Sequence, residues 1–240
     1  MDRAHAYFNS IMVREGPDVD PTKKYMFGYT PHGILGLCRG ASGGSAWHKL
    51  YPEVYPRWGS FGAAFYLPGI REFSHIFGVV DAGKKTLMQL DSSIALIPGG
   101  IREMSLTDRD SKVTQLVLKD RFGFISLAKE RGMPLVPVFV FGEKWATKKV
   151  TVRPEGLRRW LMSHQLSGVG FIGRFMTLLP FNDKPMGSVF GEPIDTADDT
   201  VEELHAKFLK SIENIFEKYK KFFEYDDDEK IEFVSTKITE

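Results

Sequence analysis

Tyr25-Met-Phe-Gly-Tyr-Thr-Pro-His-Gly33 is an apolar run that ends on a Pro-His-Gly turn. Tyr25, Met26, Phe27 and Tyr29 suit a buried strand, and Pro31 with Gly33 turns the backbone where His32 emerges. A histidine fixed there, with an unperturbed pKa of ~6.5, exchanges protons near neutrality as a general base must. A lone histidine at a strand end is also a common turn or core residue, so its position alone does not make it catalytic.

Outward from this stretch, apolar runs and helical patterns alternate. Ile76-Phe-Gly-Val-Val80 reads as a strand, with Asp81 as cap for a helix from about Gly83 to Leu90. Ile94-Ala-Leu-Ile97 reads as a strand ending at Pro98-Gly-Gly100. Phe122 to Arg131 reads as a helix stopped by Gly132, and Leu135-Val-Pro-Val-Phe-Val-Phe141 is the strongest buried strand in the chain. This rhythm predicts an α/β fold, a mostly parallel sheet flanked by helices, with functional residues at the carboxyl ends of its strands. Ala4 to about Arg14, Ser45 to Leu50 and Gly156 to Gln165 read as shorter helices, and Ser188 to Gly191 as a final strand. Val201, Leu204, Phe208, Ile212, Ile215, Phe216 and Tyr219 recur at the spacing of an amphipathic helix. The expected organisation is one domain over 1–240, with an N-terminal helix and loop over 1–24 and a solvated acidic tail over 224–240.

The 240 residues, 42% of them hydrophobic, suffice for one sizeable core. A formal charge of +1 removes any bulk electrostatic case for nucleic acid. The single cysteine, Cys38, excludes an internal disulfide and fits a reducing compartment. No apolar run approaches the ~20 residues that span a bilayer, and the N-terminus lacks the pattern of a signal peptide. Yet aromatics make up 13% of the chain, 19 of them Phe, and Gly170 to Phe181 is greasy for a loop region. An interfacial surface accounts for that, as does a well-filled core.

Two constellations can carry chemistry. In the first, His32 stands with Pro98-Gly-Gly-Ile-Arg-Glu-Met104. Backbone amides at Gly33, Gly99 and Gly100 suit an oxyanion, Glu103 is placed to accept a proton from His32 and fix its tautomer, and Arg102 adds positive charge. In the second, Gly40-Ala-Ser42-Gly-Gly44 fits a nucleophile elbow, with His164 or His205 as partner, and defines a serine esterase as the rival enzyme. That elbow needs a hydrophobic strand running into the serine, and Cys38-Arg39-Gly40 interrupts it. The six histidines do not pair at metal-binding spacing, and no nucleotide-binding loop is present.

The blocks Phe27-Gly-Tyr-Thr-Pro-His-Gly33, Pro98-Gly-Gly-Ile-Arg-Glu103, Arg121-Phe-Gly-Phe124, Leu135-Val-Pro-Val-Phe-Val-Phe-Gly-Glu143 and Gly191-Glu-Pro-Ile194 follow one another in an order that resembles the type-2 diacylglycerol acyltransferase family, distantly related to glycerophospholipid acyltransferases. The resemblance implies transfer of a fatty acyl group from acyl-CoA to the hydroxyl of a neutral lipid such as mono- or diacylglycerol, with His32 catalytic. The first histidine of the family's His-Pro-His-Gly block is Thr30 here. The aspartate that the distant relatives carry five positions after the histidine is Leu37, which leaves Glu103 as the expected orienting acid. Arg102, Arg121 and Arg174 are the candidates for the CoA phosphates, Arg174 lying in a partial match to a His-Gly-Arg-Gly block. A thioester is already activated, so no cofactor or metal is expected. Relatives begin with a hydrophobic hairpin that anchors them in the endoplasmic reticulum membrane, facing the cytosol. This chain starts about where such a hairpin ends, so a membrane surface is expected as a partner, or a cytoplasmic location for an anchorless protein. A non-catalytic lipid-binding protein on the same scaffold is the third reading.

Overall fold

A computed structural model describes residues 2–37, 44–60, 65, 71–72, 74, 78–151, 153–163, 169–177 and 179–237. In chain order the elements are α1 (Asp2–Phe8), β1 (Ile11–Arg14), β2 (Met26–Thr30), α2 (Gly44–Leu50), β3 (Arg57–Ser60), β4 (Val80–Asp81), α3 (Lys84–Gln89), β5 (Ile94–Leu96), α4 (Gly100–Leu106) and β6 (Val113–Leu116). They continue with α5 (Gly123–Glu130), β7 (Leu135–Phe141), β8 (Lys148–Thr151), α6 (Glu155–Ser163), β9 (Val169–Ile172), β10 (Gly187–Phe190), α7 (Val201–Tyr219) and β11 (Lys230–Phe233).

Seven strands form the central sheet in the order β1-β10-β7-β2-β5-β3-β4, and only the β10–β7 pair is antiparallel. The expected mostly parallel α/β sheet is therefore the fold observed. Strands β2 and β7 are buried along their whole length because both sheet faces are covered, which is why they read as unbroken apolar runs. Alternation still sorts their side chains. Phe27, Tyr29, Val136, Val138 and Val140 join an aromatic cluster with Trp47, Tyr51, Trp58 and Phe190, while Met26, Leu135, Phe139 and Phe141 face α5 and α7.

Helix α7 begins at a capping box, in which Thr200 Oγ1 accepts from the Glu203 amide and Glu203 in turn accepts from the Thr200 amide. Its Leu204, Phe208, Ile212, Ile215 and Phe216 are buried on the sheet. Gly28 lets it come that close, since a Cβ there falls 2.9 Å from the Phe208 ring and 3.2 Å from Phe124. Gly28→Ala is expected to destabilise the fold by about 1–2 kcal/mol through overpacking, read as a lower urea midpoint at unchanged m-value.

Three expectations need correction. The N-terminal helix stops at Phe8, Asn9 takes a left-handed conformation, and Ile11 to Arg14 pairs parallel to β10 as an edge strand. Gly83, not Asp81, is the N-cap of α3, although Asp81 Oδ2 accepts from the Gly83 amide at 3.2 Å. The acidic segment after residue 224 is not a solvated tail. Tyr225 and Glu229 are buried, Glu229 pairs with the buried Lys144, and β11 lies parallel to β6. A carboxylate and an ammonium buried together stay charged only as partners, so Glu229 folds inward while Glu224 and Asp226 to Asp228 stay exposed.

Candidate active site

Because β2 and β5 are parallel neighbours, the turns that follow them emerge at one edge of the sheet. The expected meeting of His32 with the Gly99-Gly100 turn is met there: Glu103 Oε2 accepts a hydrogen bond from the backbone N–H of His32 at 2.7 Å. The carboxylate's other oxygen accepts from the Val117 amide at 3.0 Å and faces the Thr30 hydroxyl at 3.4 Å. Thr30, at the position of the family's first histidine, thus belongs to the carboxylate's surroundings.

The contact differs in kind from the one expected. Glu103 takes the main-chain amide of His32, while the ring atom Nδ1 lies 3.0 Å from the Gly33 carbonyl. A carbonyl oxygen only accepts, so this contact requires the proton on Nδ1 and leaves Nε2 with its lone pair. The orienter of the half-exposed imidazole in this geometry is a backbone carbonyl, and Glu103 fixes the peptide that carries the ring.

Glu103 is fully buried, and burial pushes its carboxyl up to about 7 against the downward pull of the Val117, His32 and Thr30 hydrogen bonds and of the Arg121 charge. Gly99 makes room for it: a Cβ at Gly99 falls 2.1 Å from Glu103 Oε2. Gly100, at φ +58, lets the chain turn into α4. Its N–H donates to the Ile97 carbonyl at 3.3 Å.

Sequence reasoning gave no role to Glu143. It follows β7, the other parallel neighbour of β2, and is buried at the same edge. Its Oε1 accepts from the Leu37 amide at 2.6 Å, and its side chain fills the space beside Gly33, where a Cβ falls 2.5 Å from Glu143 Cγ. Gly33 itself has φ +62. Two buried carboxylates therefore brace the His32 turn from opposite neighbours, one at the His32 amide and one at Leu37. The signal available was the β2–β7 pairing, which places the residue two past Phe141 at the mouth of the sheet.

Of the basic candidates, Arg102 stands on α4, and Arg121 Nη2 lies 4.0 Å from where a Gly100 Cβ would be. Arg102 Nη1 and Arg121 Nε are buried without a hydrogen-bond partner among the described residues. Arg174 stands apart from this cluster in its contacts: it begins a single turn after β9, its Nη1 donates to Asn182 Oδ1 at 2.6 Å, and it lies over Phe175. Ser42, Cys38 and His164 lie outside the described residues. His205 is buried in α7 with Nε2 2.8 Å from the Leu118 carbonyl and its ring against Phe122, so it serves the packing of that helix rather than a triad.

The site is thus a mostly parallel sheet with a braced Pro-His-Gly turn at its carboxyl edge. The fold superimposes on the crystal structure of the 1-acyl-sn-glycerophosphate acyltransferase PlsC of Thermotoga maritima with a TM-score of 0.56 over 91% of this chain and 76% of that one, at 16% identity. Residues 2–234 match the family model "Diacylglycerol acyltransferase". The chain is 30% identical to diacylglycerol O-acyltransferase 2A of Umbelopsis ramanniana, over 95% of its own length and 71% of the relative's. It is also 30% identical to diacylglycerol O-acyltransferase 1 of Schizosaccharomyces pombe, over 92% and 70%. Human diacylglycerol O-acyltransferase 2 is 28% identical, over 84% of this chain and 58% of the human protein. The chain belongs to the diacylglycerol acyltransferase family, a family of acyltransferase enzymes.

Proposed function

We propose that this protein transfers a fatty acyl group from acyl-CoA to the free hydroxyl of a neutral glycerolipid, diacylglycerol or monoacylglycerol, with His32 as general base. The observation that carries the reading is the Nδ1 contact to the Gly33 carbonyl at 3.0 Å, on a turn whose amide is held by a buried carboxylate. In this scheme Nε2 takes the proton of the acceptor hydroxyl as its oxygen attacks the thioester carbonyl. The tetrahedral intermediate collapses to the ester, and the imidazolium returns the proton to the departing CoA thiolate. Glu103 acts in this scheme by holding the His32 peptide in place, and amides at Gly33 or Gly99 are candidates to receive the oxyanion.

Arg102 and Arg121 suit the CoA phosphates, because a buried guanidinium nitrogen without a partner gains most from an anionic oxygen. Arg174 has its partner in Asn182 and is left out of this assignment. The endoplasmic reticulum location that the resemblance implies fits a water-insoluble acceptor. No helix among the described residues is long and apolar enough to cross a membrane.

The test is labelled acyl-CoA offered with a panel of dispersed acceptors: monoacylglycerol, diacylglycerol, lysophospholipid and a long-chain alcohol. Labelled glyceride with stoichiometric release of CoA is the expected result. Acyl-CoA consumed only to free fatty acid, or label passing only to lysophospholipid, would overturn it.

A further inference from the structure

Between β7 and β10 the chain leaves the central sheet, forms the antiparallel β8–β9 hairpin with α6 at one end, and closes with a tight turn at Arg174–Met176. Among the described residues, six of the nine large hydrophobic side chains that stand exposed lie on this excursion: Val150, Leu157, Trp160, Phe175, Met176 and Leu179. Phe175 and Met176 are the extreme cases, 79% and 85% exposed. Both also hold left-handed backbone, φ 55 and 57, which suits glycine or asparagine and strains any other side chain.

That conformation is locked in place. The Gly173 amide donates to the Thr177 carbonyl at 2.8 Å, the Arg174 amide to Leu179 at 2.7 Å and the Thr177 amide to Arg174 at 3.0 Å. Gly173 is pressed so close to the returning chain that a Cβ there falls 1.8 Å from the Leu179 carbonyl oxygen. A rigid loop that presents two greasy side chains in a strained conformation is built to insert them into something apolar.

The charge of the segment says what that is. Residues 148–180 hold six Lys and Arg against one acidic residue, Glu155, in a chain whose formal charge is only +1. Lys148, Arg153 and Arg159 are exposed beside the apolar residues. Aromatic and aliphatic side chains flanked by cations match a lipid surface with anionic headgroups, where the rings enter the acyl boundary and the cations meet phosphates. The hairpin is also tied to the candidate active site, since Lys149 Nζ donates to the Ser105 carbonyl at 3.0 Å on α4, the helix that carries Glu103.

We propose that the β8–β9 excursion is a membrane-docking surface, in which Phe175 and Met176 wedge into the lipid and the surrounding Lys and Arg side chains bind anionic headgroups. This docking requires neither His32 nor acyl-CoA, so it stands independently of the proposed reaction.

The test is co-sedimentation of the chain with vesicles of phosphatidylcholine, with and without phosphatidylserine. The wild-type protein is expected to partition onto both and more strongly onto the anionic ones. Phe175→Asn/Met176→Asn is the informative variant, because asparagine relieves the left-handed strain while removing the apolar wedge. It should melt at or above the wild-type temperature yet bind vesicles at least ~10-fold more weakly. Phe175→Leu/Met176→Leu should restore binding, and Arg153→Glu/Arg159→Glu should abolish only the preference for phosphatidylserine. Vesicle binding by the asparagine variant equal to wild type, or no binding by the wild-type chain, overturns the proposal. His32→Ala, which in the proposed mechanism ends transfer, should leave vesicle binding intact, so failure of the docking surface and failure of the reaction are read separately.

Discussion

His32→Ala is expected to lower kcat for acyl transfer by about 10²–10⁴-fold, the usual contribution of a positioned general base, with KM for acyl-CoA little changed. The fold should survive, because the ring is half-exposed and the contact made by Glu103 is to the main-chain amide, which alanine keeps. A circular dichroism melt within a few degrees of wild type checks that condition. His32→Gln sharpens the test: its amide can still donate to the Gly33 carbonyl but has no basic nitrogen. It should be as inactive as alanine if Nε2 is the base, and partly active if the ring serves only to hold the turn. Wild-type transfer by both variants would remove His32 from the chemistry, whereas lipid binding with no transfer by the wild-type chain would favour a lipid-binding protein on an acyltransferase scaffold.

The second large effect is on stability and follows from the buried carboxylate. Glu103 has an ordinary value of 4.5 and is pushed up to about 7 in the fold. Between those values the unfolded chain has released the proton while the folded one retains it. The contribution of Glu103 to stability is therefore fully present below pH 4.5 and is lost as pH rises through about 7. The difference amounts to at most about 3 kcal/mol. Denaturant midpoints measured from pH 5 to pH 8 should fall by an amount that Glu103→Gln, which cannot titrate, does not show. The variant should also be less stable than wild type at pH 5 by about 1–3 kcal/mol, because its NH₂ group faces a buried N–H where an acceptor stood. A wild-type profile that runs parallel to that of the variant would show that Glu103 does not titrate in this range.

The parts of this fold that sequence made legible are those whose neighbours impose one pattern. Leu135 to Phe141 is covered on both faces, so every residue is apolar, and α7 repeats its buried side chains at helical spacing. Strands β3 and β11 escape such reading. Arg57-Trp-Gly-Ser60 follows a proline and contains a glycine, and it is a strand because β5 and β4 pair with it. Lys230 to Phe233 has alternating exposure that the preceding acidic run conceals. At the site, the coming together of His32 and Glu103 was legible because turns after neighbouring parallel strands share an edge. Which atoms meet was not: whether a carboxylate reaches a ring nitrogen or the amide behind it depends on the φ of Gly33 and the space left by Gly99. Glu143 was concealed for the same reason, since its role rests on the register of β2 against β7.

Strand β11 has a consequence for how the enzyme comes into being. It pairs with β6, and the Val234 amide donates to the Leu116 carbonyl, one residue before the Val117 amide that binds Glu103. A residue past position 230 thus steadies the backbone of a group in the centre of the site. During synthesis that donor is held in place only after Val234 has left the ribosome, more than 200 residues after the His32 turn it helps to brace. Removing the residues after 224 as a dispensable acidic extension would take away Tyr225 from the core and Glu229 from Lys144 as well as β11, and should both destabilise the fold and loosen the clamp behind its histidine.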